Sequence, residues 1–316
     1  MSAPNVICKI MPSEQLPLHS EDLRTQLING INNLLSGGGV KEGDTLRALR
    51  DALKGQEKQL RVHREPWHDS AACLSGQDPR DLIAECLFRL QVSAGDGHFQ
   101  DSTNYQKHGP LAVLTACKDA GLGCLFRSFT QALSLEDNAA NYPDETPSIN
   151  ISPQDVAQTD YREWLTNLLT TYGKPVVLEL LEEKWPEEWL QFMKDLADYS
   201  NGSVQLAVDD YGFGHHTANT LELLQPAYVK IAGEQVRGFF SAGQPQDNKL
   251  IRIVNEVRDC CPEAALVMEH TTCPQALALL ILFGGQTLAQ SHTMPSERHV
   301  TAIVLKQLAV CAIHTK

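Results

Sequence analysis

Val204-Gln205-Leu206-Ala207-Val208-Asp209-Asp210-Tyr211-Gly212-Phe213-Gly214 reads as a strand that ends on two adjacent carboxylates and runs into a glycine turn. Like charges held that close raise each other's pKa unless something positive sits between them. A divalent cation does this best, and oxygen ligands suit magnesium or manganese. Taken alone, a solvated acidic turn explains the same residues. The pattern on either side of the stretch decides between the two.

Strand-length runs recur before and after it, at 59–66, 82–90, 148–152, 176–182, 228–232, 264–270 and 287–292. Helical spacing fills most of the intervals. Trp164, Leu165, Leu168 and Leu169 form one face, and Trp189, Leu190, Met193 and Leu196 form another behind Pro186, a favoured first helical residue. Leu250, Ile253, Val254 and Val257 form a third. A fourth helix opens at Pro274 and closes at Gly284-Gly285, and Val300, Ile303, Val304 and Leu308 make the last. Strands alternating with helices in this number predict an α/β fold, a (β/α)8 TIM-like barrel. Upstream, Ser20 can cap a helix that carries Leu23, Leu27, Ile28, Ile31, Leu34 and Leu35 and stops at Gly37-Gly38-Gly39. A second helix carries Leu46, Leu49 and Leu53. The expected organisation is an N-terminal helical extension over 1–43, joined by a glycine hinge to a barrel domain over 44–316.

The chain has 316 residues and a formal charge of −13, which argues against a surface built to coat DNA, RNA or an anionic membrane. A small phosphate ligand held through metals stays compatible with that charge. The nine cysteines show no metal-ligand spacing and read as reduced thiols, which points to the cytoplasm. No stretch reads as a signal peptide, and the longest apolar run, near 276–283, is too short to span a bilayer.

Barrels of this kind place their chemistry at the C-terminal ends of the strands. Polar residues fall there on strand after strand: Glu85, Asn150, Glu179 with Glu182, Asp209 with Asp210, Lys230, Glu269 and Gln290. Each has an ordinary explanation, such as a solvated acid, a turn asparagine before Pro153, or half of a structural ion pair. Together they would need a separate explanation on every strand, whereas a ring of oxygen ligands and one lysine around a common mouth makes a hard-metal site.

In this arrangement the chain resembles the EAL-domain family of cyclic di-GMP phosphodiesterases and sensors. Glu85-Cys86-Leu87 stands at that family's Glu-Ala-Leu signature, with Arg89 at its following arginine. Ile149-Asn150-Ile151-Ser152 is similar to its Asn-Leu-Ser segment, and Glu179-Leu180-Leu181-Glu182 to its Glu-Leu-Thr-Glu segment. Asp209 through Gly214 resembles Asp-Asp-Phe-Gly-Thr-Gly, Val229-Lys230-Ile231-Ala232 resembles Lys-Ile-Asp, Glu269-His270-Thr271-Thr272 resembles Glu-Gly-Val-Glu, and Gln290-Ser291 the closing Gln-Gly. The ordered series runs from about Asp44 to the C-terminus.

The resemblance implies a bacterial signalling enzyme whose first barrel strand runs antiparallel to the rest. It implies hydrolysis of cyclic di-GMP to linear pGpG with two magnesium or manganese ions. Glu85, Asn150, Glu179 and Asp209 would hold the first metal, and Asp209, Asp210 and Glu269 the second. Lys230 would orient the attacking water, Arg89 and Gln290 would contact substrate or water, and Glu182 would brace the loop. A module that binds cyclic di-GMP or a protein partner without turnover is the alternative within the same family. A homodimer and a regulatory protein partner are further expectations.

The chain departs from the pattern at Glu65-Pro66, where Gln-Pro is expected, and at Ala232 and Thr272, where acids are expected. Glu65 could grip the two N–H donors of a guanine edge. The loop 211–217 carries Phe213, His215 and His216 in place of small and hydroxyl residues, and the two histidines read as a surface pair. Cys86 reads as a buried, inert thiol facing away from Glu85. The N-terminal helix reads as a regulatory or dimer-forming element, or as a cover for apolar barrel surface.

Overall fold

Runs such as Val176–Leu180, buried along its whole length, can only be strands covered on both faces, which is the signature of a parallel sheet inside a layer of helices. The structure, a computed structural model, describes residues 17–37, 43–55, 58–69, 83–93, 99–101, 109–235, 249–269 and 287–290. In chain order these form α1 (Ser20–Gly37), α2 (Gly43–Leu53), β1 (Lys58–Asp69), β2 (Ile83–Ser93), β3 (Phe99–Asp101), α3 (Pro110–Asp119), α4 (Gly123–Asn141) and β4 (Thr146–Ile151). There follow α5 (Pro153–Val156), α6 (Thr159–Tyr172), β5 (Val176–Leu180), α7 (Glu187–Asp198), β6 (Val204–Tyr211), α8 (Ala218–Leu224), β7 (Tyr228–Ile231), α9 (Lys249–Cys260), β8 (Ala265–Met268) and β9 (Thr287–Gln290).

The strands lie in the order β1-β9-β8-β7-β6-β5-β4-β2-β3, and a further pairing of β1 with β2 closes the sheet on itself. Pairing is parallel along β2-β4-β5-β6-β7-β8-β9, while β3 runs antiparallel to β2 and β1 antiparallel to β9, with Trp67 opposite Gln290. This is the TIM-like barrel that the alternation of strands and helices predicts, with the antiparallel first strand that the resemblance implies. All eight predicted strands are present. The runs expected to reach 182 and 270 end earlier, at Leu180 and Met268, so Glu182 and Glu269 lie just beyond their strands. The hairpin strand β3 and the helices α3, α4, α5 and α8 are additions to the predicted order. The helices expected from Pro274 and around 300–308, and Thr272, lie outside the described residues.

Two compact units are distinguished: residues 1–63, 86–142 and 157–172 in the first, and 64–85, 143–156 and 173–316 in the second. Within the first, α1 is an integral helix. Leu23, Leu27 and Ile31 are fully buried on its packed face, each worth roughly 1.5–3 kcal/mol. The Ser20 hydroxyl and N–H both donate to the Glu136 carboxylate on α4. Trp164 Nε1 donates to the Pro17 carbonyl at 2.8 Å.

Within the second unit, strand alternation sets the site. A cluster of Trp67, Ile83, Val177, Ala207, Ala265, Val267 and Leu288 fills one layer, with Trp67 edge-on to Tyr228 at 5.3 Å. Side chains two positions apart on a strand share a face. The same face therefore carries Glu85 after Ile83, Glu179 after Val177, Asp209 after Ala207, Lys230 after Tyr228, Glu269 after Val267 and Gln290 after Leu288. A dry layer of apolar side chains thus supports a second, polar layer nearer the C-terminal strand ends.

Candidate functional site

Lys230 stands at the centre of that polar layer and is only 1% exposed. Its Nζ lies 2.5 Å from Glu179 Oε2, 2.7 Å from Asp209 Oδ1, and 3.1 Å from both Glu85 Oε2 and Glu269 Oε1. The Trp67 ring lies 5.9 Å from the same nitrogen. One cation thus faces four carboxylates contributed by β2, β5, β6 and the end of β8. Burial opposes the charge on Lys230, but Asp209, Glu179, Glu85 and Glu269 outweigh it and hold its pKa well above the usual lysine value.

The carboxylates are not equivalent. Burial works against the charge of Glu85, yet Lys230 and the hydrogen bonds it accepts keep its pKa below the ordinary value. Asn150 Nδ2 donates to Glu85 Oε1 at 2.8 Å, and Gln290 Nε2 donates to Oε2 at 2.6 Å. Glu179 goes the other way: burial and the neighbouring Glu85 charge push it well above the carboxylate range, although Lys230 and the Ser148 hydroxyl both donate to it. Burial also raises Asp209 to about 6, and burial with Glu269 and Asp209 raises Asp210 to about 8.

Adjacent strand residues normally point to opposite faces, so Asp209 and Asp210 need a device to act together. The register of β6 on β7 shifts between Val208 and Tyr211, and Asp210 has φ 48°, a left-handed conformation that aspartate tolerates better than most residues. The Asp210 carboxyl faces Glu269, whose charge and hydrogen bond add to burial in raising the Asp210 pKa. Backbone strain of this kind is characteristic of functional sites.

Past Asp210 the loop is tied down on both sides. Gly212 has φ 89°, and its carbonyl accepts from Lys249 Nζ at 2.8 Å and Gln235 Nε2 at 3.2 Å. A side chain at Gly214 would lie 2.5 Å from the Glu182 backbone oxygen, so glycine is required for this approach. The Glu182 carbonyl accepts the His215 N–H at 2.9 Å. The backbone at Glu182 and the loop after Asp210 are thus in direct contact. His216 corrects the surface-pair expectation: it is buried, and its Nε2 lies 3.1 Å from the Leu180 carbonyl and 2.9 Å from that of Leu181.

Of the other sequence candidates, Arg89 lies on β2 in the first compact unit, its Nη1 donating to the Phe88 carbonyl at 3.0 Å. Glu65 is half-buried and shares the inward face of Trp67. Ala232, where an acid was expected, is fully buried, and Cys86 is buried. Sequence reading passed over Ser148 and Trp67. Both lie two positions from a candidate residue or its strand partner on an inward face, and that parity was the available signal.

The donor set suits a hard cation in its chemistry: every group is oxygen, and the acids outnumber the one lysine. Among the described residues no three acidic, histidine or cysteine side chains already stand in a metal-holding arrangement. Lys230 occupies the point on which the acids converge. Metal binding would require the acids to exchange contacts with Lys230 for contacts with the metal.

The charge imbalance gives a pH dependence. Asp209 and Asp210 have folded pKa values above their unfolded ones, so the folded state binds more protons, and stability falls as pH rises through about 6 and then about 8. Asp209 alone accounts for a few kcal/mol of this, while the half-exposed Asp210 contributes less because water screens it. In chelator, the melting temperature is expected to fall from pH 5.5 to 8.5, and manganese should flatten the slope. A melting temperature that rises over the same interval would contradict the electrostatics of the cluster.

The family model described as EAL domain matches residues 84–284. Curated proteins give no match. Among solved structures, the PaMucR phosphodiesterase in complex with c-di-GMP is 19% identical with a TM-score of 0.60, covering 81% of this chain and 99% of its own. The FimX EAL domain from Pseudomonas aeruginosa bound to c-di-GMP gives 19% and 0.60, covering 81% and 97%. The EAL domain of Mycobacterium smegmatis DcpA gives 20% and 0.54, covering 78% and 98%. At these identities the likeness is one of fold.

Proposed function

We propose that this chain, which belongs to the EAL-domain family, is a metal-dependent phosphodiesterase that opens cyclic di-GMP to linear pGpG. The observation that carries the reading is the buried ring of four carboxylates around Lys230 at the strand ends. Glu85, Asn150, Glu179 and Asp209 would hold a first magnesium or manganese ion, and Asp209, Asp210 and Glu269 a second. Bound there, two such ions supply Lewis acidity and a nucleophile at neutral pH, so that no strong protein base is required.

The chain's own residues do the rest. Lys230 keeps its proton, orients the attacking water as a donor, and stabilises negative charge developing on the phosphate. Gln290 and Asn150 hold Glu85 by donating to its two oxygens, which fixes a ligand before substrate arrives. The family resemblance assigns Arg89 and Gln290 a contact with substrate or water. The apolar layer below, capped by Trp67, keeps water out from beneath. A cytoplasmic location, a homodimer and a regulatory protein partner belong to the same reading. Among the described residues no helix is long and apolar enough to cross a membrane.

One observation favours a second reading, binding without turnover: Lys230 already neutralises part of the acidic ring that metals would otherwise occupy. The purified protein incubated with cyclic di-GMP and magnesium or manganese should yield linear dinucleotide by chromatography. Binding with no product across both metals gives the second reading the lead, and absence of both sinks the two together.

Glu65 supplies a specificity test. Since β1 runs antiparallel to β9, Glu65 lies beyond Trp67 toward the end of β9 where Gln290 stands. An ionised carboxylate only accepts hydrogen bonds, and guanine offers two neighbouring donors on its Watson–Crick edge where adenine offers one. Glu65→Gln should change cyclic di-GMP affinity by about 5–30-fold, the size of one charged hydrogen bond. Cyclic di-AMP affinity should move less, and unchanged affinity for both nucleotides would end the guanine role.

A further inference from the structure

Two strand ends carry the proposed ligands Glu179 and Asp209-Asp210, and neither end is held in place by the ladder alone. β5 stops at Leu180, and β6 leaves its register with β7 between Val208 and Tyr211. The two segments that follow, 181–183 and 211–217, meet face to face. Gly214 allows backbone contact at Glu182, and the His215 N–H closes one hydrogen bond to the Glu182 carbonyl. Side chains complete the junction, with His215 Nδ1 3.3 Å from the Glu182 carbonyl. His216, 9% exposed, reaches back across it to the carbonyls of both Leu180 and Leu181. Carbonyls only accept, so Nε2 must carry the proton and donate to both. Leu180 directly follows Glu179, so this contact fixes the exit of the strand that carries one ligand while anchoring the loop that follows two others.

We infer that His216 is a positioning residue, which locks the Asp210 loop onto the Glu179 strand end and thereby sets the affinity of the site for divalent metal. It does from the loop what the small and hydroxyl residues expected there would do by another route. The inference rests on the metal-dependent reading above. Replacing this histidine by a small residue should loosen the site.

Two substitutions separate hydrogen bonding from volume. His216→Leu fills the space without a donor, and His216→Gln places an amide N–H near the position of Nε2. The first measurement is hydrogen exchange of the amides in 211–217 on the full chain in chelator, which needs no metal. His216→Leu should exchange about 10-fold or more faster, the equivalent of losing a buried hydrogen bond, and His216→Gln should stay near wild type. The second is calorimetric titration with manganese alone, without nucleotide. His216→Leu should bind about 10-fold more weakly, and His216→Gln should recover most of the loss. Unchanged exchange in His216→Leu overturns the inference, as does equal loss in both variants or unchanged manganese affinity in a loosened loop. A wild-type chain that binds no manganese overturns both the metal role of His216 and the metal-dependent reading. Manganese binding without hydrolysis removes only the proposed catalysis.

Discussion

Lys230→Met should destabilise the metal-free protein by about 3–5 kcal/mol, the usual consequence of removing one partner from a buried ionic cluster. The corresponding fall in melting temperature is roughly 6–20 °C. Methionine roughly preserves the volume, so the loss, including the cation–π contact with Trp67, would be electrostatic. Four carboxylates within 3.1 Å of the lysine nitrogen would be left with no cation among them. They would respond by taking up protons, beginning with Glu179, whose pKa is already raised by burial and by Glu85. The deficit should therefore shrink toward pH 5.5 and widen toward pH 8.5. Manganese should restore much of the stability, because it would supply the missing charge at the same point. If the variant in chelator melts with the wild type at pH 8, the cluster is not held by charge. With substrate, the proposed role in orienting water predicts a larger loss in kcat than in KM.

Sequence alone carried the barrel because its strands are buried on both faces. Val176–Leu180 and Ala265–Met268 are continuous apolar runs interrupted only where the site requires it. Polar residues inside such runs are costly, and this made Glu85, Glu179 and Lys230 visible. Other features had no such mark. The buried residues of α4 include Ser128, Gln131, Ser134 and Asn138 alongside Phe126, Phe129 and Leu135, which blurs the helical pattern and hid the helix. Parity along β7 places Lys230 inside, but its convergence on four acids is a property of the closed ring. Asp210 needs a left-handed φ to aim beside Asp209, and no residue type announces that. His216 looks like a loop residue because its partners are backbone carbonyls some 35 residues away. Backbone acceptors leave no signature in sequence.

Glu85→Ala should remove hydrolysis and weaken manganese binding by at least about 100-fold, a loss that even outer-shell partners of metal ligands can cause. Glu85 is an acid whose pKa is held below its ordinary value, by Lys230 and by the donors Asn150 and Gln290. On the proposed reading it is the ligand ready to meet a cation. Stability should move far less than activity, because two effects oppose each other. Three donors lose an acceptor, while Glu179 loses the neighbouring charge that helps raise its pKa. Glu179 should then titrate closer to the ordinary carboxylate range. Glu85→Gln sharpens the test: it keeps the shape and one acceptor oxygen but removes the charge. If charge at a metal ligand is what matters, the glutamine variant should be nearly as inactive as alanine, with manganese affinity lowered alongside. If Glu85 serves only to hold Asn150 and Gln290 in place, glutamine should recover activity and alanine should not. Manganese titration, product analysis and melting curves on the three proteins distinguish these outcomes. An alanine variant that hydrolyses within about 10-fold of wild type would remove Glu85 from the metal site altogether.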